Sequence, residues 1–275
     1  MDQQLNKIKK VFWILALAAT VFVFSCTEEN ENEGDNLSQQ ILGKWMLTKI
    51  DGKEVPTNEK LVYTVESATK GYVSASRVDF SDSVLRWTNH QPCEIAIDGN
   101  KITITGELNK TTTFVAEMDI RSISSTEMSA ESEYTVYHNG RPLYTSCGLA
   151  LLEKVSKDYS ADILGQWEGH VTNNEGSEFD DGELHRWEYL SDGTYIYYML
   201  DSDSNWVQSD SEFSEYFVDG TLLCTRWKNV GDGEVENREW WEIASISNGT
   251  MNWTALRQKE DGTTYTATFH MTKTQ

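Results

Sequence analysis

The pentapeptide "ILGKW", Ile41–Trp45, returns as "ILGQW", Ile163–Trp167, 122 positions further on. Each copy opens a run in which apolar and polar residues alternate, the period of a strand with one buried face. In "QWEGHV" Trp167, Gly169 and Val171 share one face, and Gln166, Glu168 and His170 share the other. The likeness continues past the pentapeptide. "SISSTEM" (Ser122–Met128) is answered by "SISNGTM" (Ser245–Met251) at an offset of 123, and "IAIDGN" (Ile95–Asn100) by "YFVDGT" (Tyr216–Thr221) at 121. "HNGRPLYT" (His138–Thr145) faces "EDGTTYT" (Glu260–Thr266), one residue shorter. Ordered matches at a nearly constant offset define an internal repeat. Residues 37–155 and 161–275 therefore read as two tandem domains joined by the polar linker 156–160.

Both copies read as all-β. The dipeptides Asp51-Gly52, Asp98-Gly99, Asn139-Gly140, Asp192-Gly193, Asp219-Gly220 and Asp261-Gly262 punctuate short alternating runs, as two-residue hairpin turns do. Antiparallel meanders follow, and closing each into a barrel removes its unpaired edges.

The first 25 residues are set apart from the fold. Lys7, Lys9 and Lys10 precede the apolar run Val11–Phe24, which falls short of the roughly 20 residues that span a bilayer as a helix. A charged start, a short apolar stretch and a small residue at its end describe a secretory signal. "VFSC" (Val23–Cys26) resembles the lipobox of bacterial lipoproteins, with Phe24 standing where a small residue is usual. That resemblance implies lipidation of Cys26 and attachment to a membrane, since each buried CH₂ of an acyl chain contributes about 0.8 kcal/mol. The acidic stretch Thr27–Gln40 lacks aromatic residues and reads as flexible, and residues 26–36 are taken as a tether. Acids so close to the Cys resemble the export signal of Bacteroidota-type surface lipoproteins. An outer-membrane lipoprotein is implied, facing the cell surface or the periplasm.

The chain carries a formal charge of −21; removing Met1–Ser25 takes away a net +2 and leaves −23. Such a balance repels phosphate backbones and excludes a nucleic-acid binder. Cys93, Cys147 and Cys224 remain beyond Cys26. Their spacing fits no zinc motif; a Cys93–Cys147 bridge is open, and buried thiols are the favoured reading.

A G-x-W near the start of the first strand, successive hairpins and a basic residue on the last strand resemble the lipocalin (calycin) pattern. In that family the first-strand Trp plugs one end of the barrel beneath the basic side chain. The resemblance assigns these roles to Gly43, Trp45 and Lys154 in one copy, and to Gly165, Trp167 and Lys273 in the other. It further implies a small hydrophobic or amphipathic ligand inside a barrel. On the last strand of domain one, Tyr144, Ser146, Gly148 and Ala150 share a face and leave space. The matching face in domain two carries the larger Ala267, Phe269 and Met271, so the roomier interior is expected in domain one.

Other candidates follow from composition. Domain two holds Trp167, Trp187, Trp206, Trp227, Trp240, Trp241 and Trp253, with Tyr195, Tyr197 and Tyr198. Adjacent Trp240 and Trp241 must point to opposite faces of a strand, making them candidates for contact with a glycan or protein partner. Asp201, Asp203, Asn205 and Glu212 occupy the first, third, fifth and twelfth places of an EF-hand loop, but Trp206 stands where Gly is needed. "DSV" (Asp82–Val84) resembles a short O-glycosylation sequon. No GxSxG, HExxH, Walker or dinucleotide motif occurs, and His90, His138, His170, His185 and His270 are scattered. No enzyme and no cofactor are expected.

Overall fold

Hairpin follows hairpin through the computed structural model, which describes residues 33–78, 85–173, 183–231, 233, 236–259 and 261–274. The expected signal segment, Cys26 and the sequon-like Asp82–Val84 lie outside these residues. The expected tether ends sooner than its composition implies. Residues Glu33–Gln40 form a helix, α1, because Leu37 and Ile41 sit one turn apart and both are buried in the first core.

The first lobe contains β1 (Gly43–Ile50), β2 (Lys53–Glu54), β3 (Val62–Val65), β4 (Lys70–Val78) and β5 (Leu85–Asp98). It continues through β6 (Lys101–Asn109), β7 (Thr112–Ile123), β8 (Glu127–His138) and β9 (Arg141–Lys154). Neighbours from β3 to β9 pair in chain order, and β1 pairs with both β3 and β9. That last pairing closes an eight-stranded barrel, with β2 appended to its rim. Alternation fills the barrel: Ile102 and Ile104 of β6, Phe114, Ala116 and Met118 of β7, and Leu152 of β9 all point inward. The six dipeptides named above fall where one strand ends and the next begins. At Asp51-Gly52 and Asn139-Gly140 both residues have positive φ, the geometry a two-residue hairpin requires.

The second lobe contains β10 (Gly165–Asn173), β11 (Leu184–Tyr189), β12 (Tyr195–Leu200), β13 (Trp206–Gln208) and β14 (Ser211–Asp219). It ends with β15 (Leu222–Asn229), β16 (Asn237–Ser247), β17 (Thr250–Gln258) and β18 (Thr264–Lys273). First and last strands again pair, β10 with β18, but the sheet ends at β13 on one side and β14 on the other. This lobe is a curled, open half-barrel. The sequence match of Ile95–Asn100 with Tyr216–Thr221 explains the difference. The single long β5 of lobe one corresponds to two strands in lobe two, β13 and β14, separated at Ser209-Asp210. Ser209 N–H still bonds to Tyr197 of β12, whereas the Asp210 carbonyl accepts from Val230 beyond β15. Across the resulting seam the isolated bridge Thr194 to Glu215 joins the two sides, and the Tyr216 hydroxyl donates to the Leu190 carbonyl at 2.8 Å.

A third apolar cluster joins the lobes. Met46 and Val62 of lobe one pack with Phe217, Leu222 and Cys224 of lobe two, with Trp87, Val155 and Trp240 at the margin. Polar ties flank it. Lys44 Nζ lies 2.6 Å from both Asp158 and Asp219, and Lys60 Nζ lies 2.5 Å from Glu242.

Candidate functional site

The repeated pentapeptide builds the same object twice. Gly43 and Gly165 adopt φ of +114° and +107°, which turns the chain from the preceding Ile into the first strand. Trp45 and Trp167 are almost wholly buried, and each donates its indole N–H to the carbonyl of Ile41 or Ile163 at 2.6 Å. Strand pairing sets Trp45 opposite Lys154 and Trp167 opposite Lys273. The two Nζ atoms lie 4.9 and 5.1 Å from the ring centroids. A Cβ on Gly43 would meet Lys154 Cε at 3.0 Å, so the Gly also makes room for the lysine stem.

The interiors differ in the opposite sense to the expectation. Tyr144, Ser146, Gly148 and Ala150 do line a cavity in lobe one, but its volume is ≈ 70 Å³. The small residues on β9 are met from the neighbouring strand β1: a Cβ on Gly148 would lie 2.7 Å from Ile50 Cγ2. Tyr63, Tyr134 and Met118 fill the remainder. A larger recess of ≈ 660 Å³ on β4–β7 has charged residues Lys70, Glu94 and Glu107 along it and is a surface groove.

Lobe two encloses ≈ 400 Å³ along its inner face, reaching the seam between β12 and β14. The volume exists because the wall is broken there, which the sizes of side chains on β18 do not reveal. Rings form its walls. Trp187 packs edge-on to Trp253 and Phe269 at 5.4 and 5.3 Å, and Trp241 packs edge-on to Phe269 at 5.0 Å. His185 is buried beside Trp187 and Tyr197, and its Nδ1 lies 2.8 Å from the Tyr197 hydroxyl. Burial pulls the His185 pKa below its ordinary value, against the opposing effect of Glu183, so the ring is neutral at pH 7. Burial also pushes the Tyr197 phenol up to about 12. His185 Nε2 and Trp253 Nε1 are buried on this wall without a hydrogen-bond partner. Serines and Asp210 from the strand break occupy the mouth.

The remaining candidates fall elsewhere. Trp241 is an inner wall residue of this cavity, and Trp240 points the other way into the cluster between the lobes. Neither offers an open indole on the surface, because the outward face of β16 meets the other lobe. The acids of the expected cation loop do not converge. Asp201 accepts from the Asp203 and Asn205 backbone N–H groups at 2.9 and 2.8 Å, an Asx turn at the β12–β13 tip. Glu212, on β14, pairs with Lys228 at 2.7 Å. Among the described residues no three His, Cys, Asp or Glu side chains gather as metal ligands. All three cysteines of the lobes are free: Cys93 and Cys224 are buried, but Cys147 is exposed on the outer face of β9. Cys93 points into the barrel, so strand alternation keeps the two thiols of lobe one apart. His170 and His270 are exposed across from each other on β10 and β18.

Sequence reading singled out Trp187, Tyr195 and Tyr197 as aromatics without assigning them to a cavity, and passed over His185. Their common spacing of two along β11 and β12 was the available signal.

No protein-family model matches the chain, and no curated protein sequence matches it. Solved structures with a similar arrangement include a transferrin binding protein B double mutant from Haemophilus parasuis Hp5. It is 12% identical with a TM-score of 0.23, over 78% of this chain and 53% of that one. A DUF3598-family protein of unknown function from Nostoc punctiforme PCC 73102 is 11% identical with a TM-score of 0.24, over 86% and 97%. Intact Ap-TbpB, with N and C lobes, is 10% identical with a TM-score of 0.21, over 81% and 62%. The chain thus spans about half the length of the first of these. Among the described residues no helix is long and apolar enough to cross a membrane.

Proposed function

We propose that this protein is a non-catalytic, lipid-anchored binding protein whose second lobe takes up a small amphipathic ligand. The observation that carries this reading is the ≈ 400 Å³ ring-lined cavity behind the β12–β14 seam. Small-molecule sites run from about 300 to 1,000 Å³, mostly apolar with a few placed polar groups. Ser209, Ser211, Ser214 and Asp210 supply polar groups along its lining, and the buried Trp253 Nε1 is a donor without a partner within the ring wall. A buried donor left unpaired costs about 1–3 kcal/mol, which a ligand oxygen facing it would recover. The ligand then has an apolar body and at least one hydrogen-bond acceptor.

Native mass spectrometry of the purified protein tests the reading. A co-purified small-molecule adduct should appear, and it should vanish in Ser214→Phe, which puts a ring in the mouth of the cavity. An adduct that survives this substitution, or none from any preparation, overturns it. Lipidation at Cys26, with residence at the outer membrane, belongs to the same reading. Cys26→Ser should move the protein from the detergent phase to the aqueous phase of Triton X-114, and unchanged partitioning would refute the anchor.

A further inference from the structure

We infer that the ligand of the second lobe is an organic cation, an ammonium group carried on an apolar or aromatic body, held by indole and phenol faces and drawn in by Asp210. The inference rests on the cavity reading above and adds the charge of the ligand. Three observations support it.

First, the charged residues among the described lining are acidic. Asp210 and Glu239 lie on the wall, and no Lys or Arg does. Glu239 is engaged by Arg257, but Asp210 is exposed at the mouth and has no ion-pair partner among the described residues. An anionic ligand would meet this carboxylate and the field of a chain carrying −21; a cation is favoured by both. Second, the wall consists of electron-rich rings, the surface that attracts ammonium groups through their quadrupoles. One wall ring already meets a cation: the guanidinium of Arg257, which has the strand parity of Trp253 and Ala255, lies 4.7 Å from the Trp241 centroid and is paired with Glu239. Third, the titratable group deepest in the wall adds no opposing charge. His185 is held neutral by burial, so it does not repel a cation at pH 7.

The Trp253 N–H and the His185 ring remain for an acceptor elsewhere on the same ligand, such as an ester or hydroxyl oxygen. Ring-faced binding of a cation contributes more than its neutral shape alone, on the order of tenfold when the site is desolvated.

Three probes of similar size separate the alternatives: benzyltrimethylammonium, its uncharged isostere neopentylbenzene, and phenylacetate. Each is titrated into the purified full-length protein at low salt, following tryptophan fluorescence and calorimetric heat. The cation should bind about tenfold more tightly than the isostere and phenylacetate should bind least. Asp210→Asn should shrink the cation's advantage severalfold and leave the isostere unchanged. This substitution is preferred to Glu239→Gln, which would remove the charge that Arg257 pairs with. Equal affinity for cation and isostere, a preference for phenylacetate, or an advantage untouched by Asp210→Asn overturns the charge inference while leaving the cavity reading intact. If no probe binds, or binding persists in Ser214→Phe, both fail.

Discussion

Replacing Lys44 with Met should destabilise the junction between the lobes far more than removing one surface lysine would. Lys44 Nζ bonds to Asp219 and Asp158 at 2.6 Å each, and Asp219 is only 3% exposed. The second Asp219 oxygen, Oδ2, is buried without a hydrogen bond, with His90 Nδ1 at 3.9 Å. Deleting the ammonium therefore strands a carboxylate in the interface. Stranding a fully buried charge costs about 3–5 kcal/mol. Lys44 is itself about a quarter exposed, so solvent reaches the hole from its side, and the discounted cost is about 2–3 kcal/mol. Asp219→Asn keeps the shape and leaves Lys44 its Asp158 partner, so it should cost only about 1 kcal/mol. The double variant should be more stable than Lys44→Met alone, because no charge is stranded. Urea titrations followed by tryptophan fluorescence measure all three. A loss below about 0.5 kcal/mol for Lys44→Met, or a double variant no better than that single one, would refute the argument. The same contact sets a pH window. Burial pushes Asp158 up, but its hydrogen bonds from Lys44 and Ser160 outweigh this and hold it below 3.8. Its contribution is present above the unfolded value and is lost as pH falls through the lower folded one. Burial pushes Lys44 down, yet its bonds to Asp158 and Asp219 leave it above 10.5, so its contribution is complete below 10.5 and lost as pH rises through the folded value. Lys44→Met should flatten both ends of the stability profile.

Gly169→Ala should cost about 3 kcal/mol or more in denaturant titration, since its Cβ would sit 1.9 Å from the His270 carbonyl oxygen and force β10 from β18; a neutral result would mean that this pairing is wrong. Lys154→Met should cost about 1 kcal/mol and Lys273→Met about half that, because Lys154 is the less exposed of the two cations above their indoles. Reversal of that order would remove desolvation as the explanation. In native protein a maleimide should label Cys147 alone among the thiols of the lobes, with Cys93 and Cys224 reacting only on unfolding. Burial raises the Cys93 thiol to about 11, which keeps it protonated as well as hidden, and fast labelling of it would contradict the closed barrel.

The repeated pentapeptide was legible because every residue of it has one local duty: a carbonyl to accept, a left-handed turn, an indole to bury. Period-two alternation likewise assigned Tyr144 and Ala267 to inner faces. Alternation cannot say what an outer face meets, so Trp240 was free to be surface until lobe packing decided it. Ranking the interiors by the side chains of one strand failed for a related reason. Cavity volume depends on whether the whole wall closes, and the deciding feature was the polar pair Ser209-Asp210 inside a segment that reads as an acidic loop. In α1 the buried Leu37, with Ile41 one turn on, overrode a composition that otherwise predicts an unstructured tether.

An open seam leaves β14 as an edge strand, and exposed edges are unstable unless something supports them. Here the support comes from the other lobe. The inner residues Tyr216 and Val218 of β14 face the second core, while Phe217 and Asp219 face outward. Those two outward residues are the ones lobe one engages: Trp87 packs edge-on to Phe217 at 4.9 Å, and Lys44 grips Asp219. Arg226, on the neighbouring β15, lays its guanidinium 4.7 Å from the Trp87 ring centroid. Lobe one thus replaces, from outside, part of the ordering that β14 would gain by pairing with β12. A closed barrel with almost no cavity is well suited to this task, since a dense interior resists deformation. The two copies of one sequence pattern then divide the work: the first is packed solid and braces the edge, and the second is left open along the braced edge, where its cavity has a mouth.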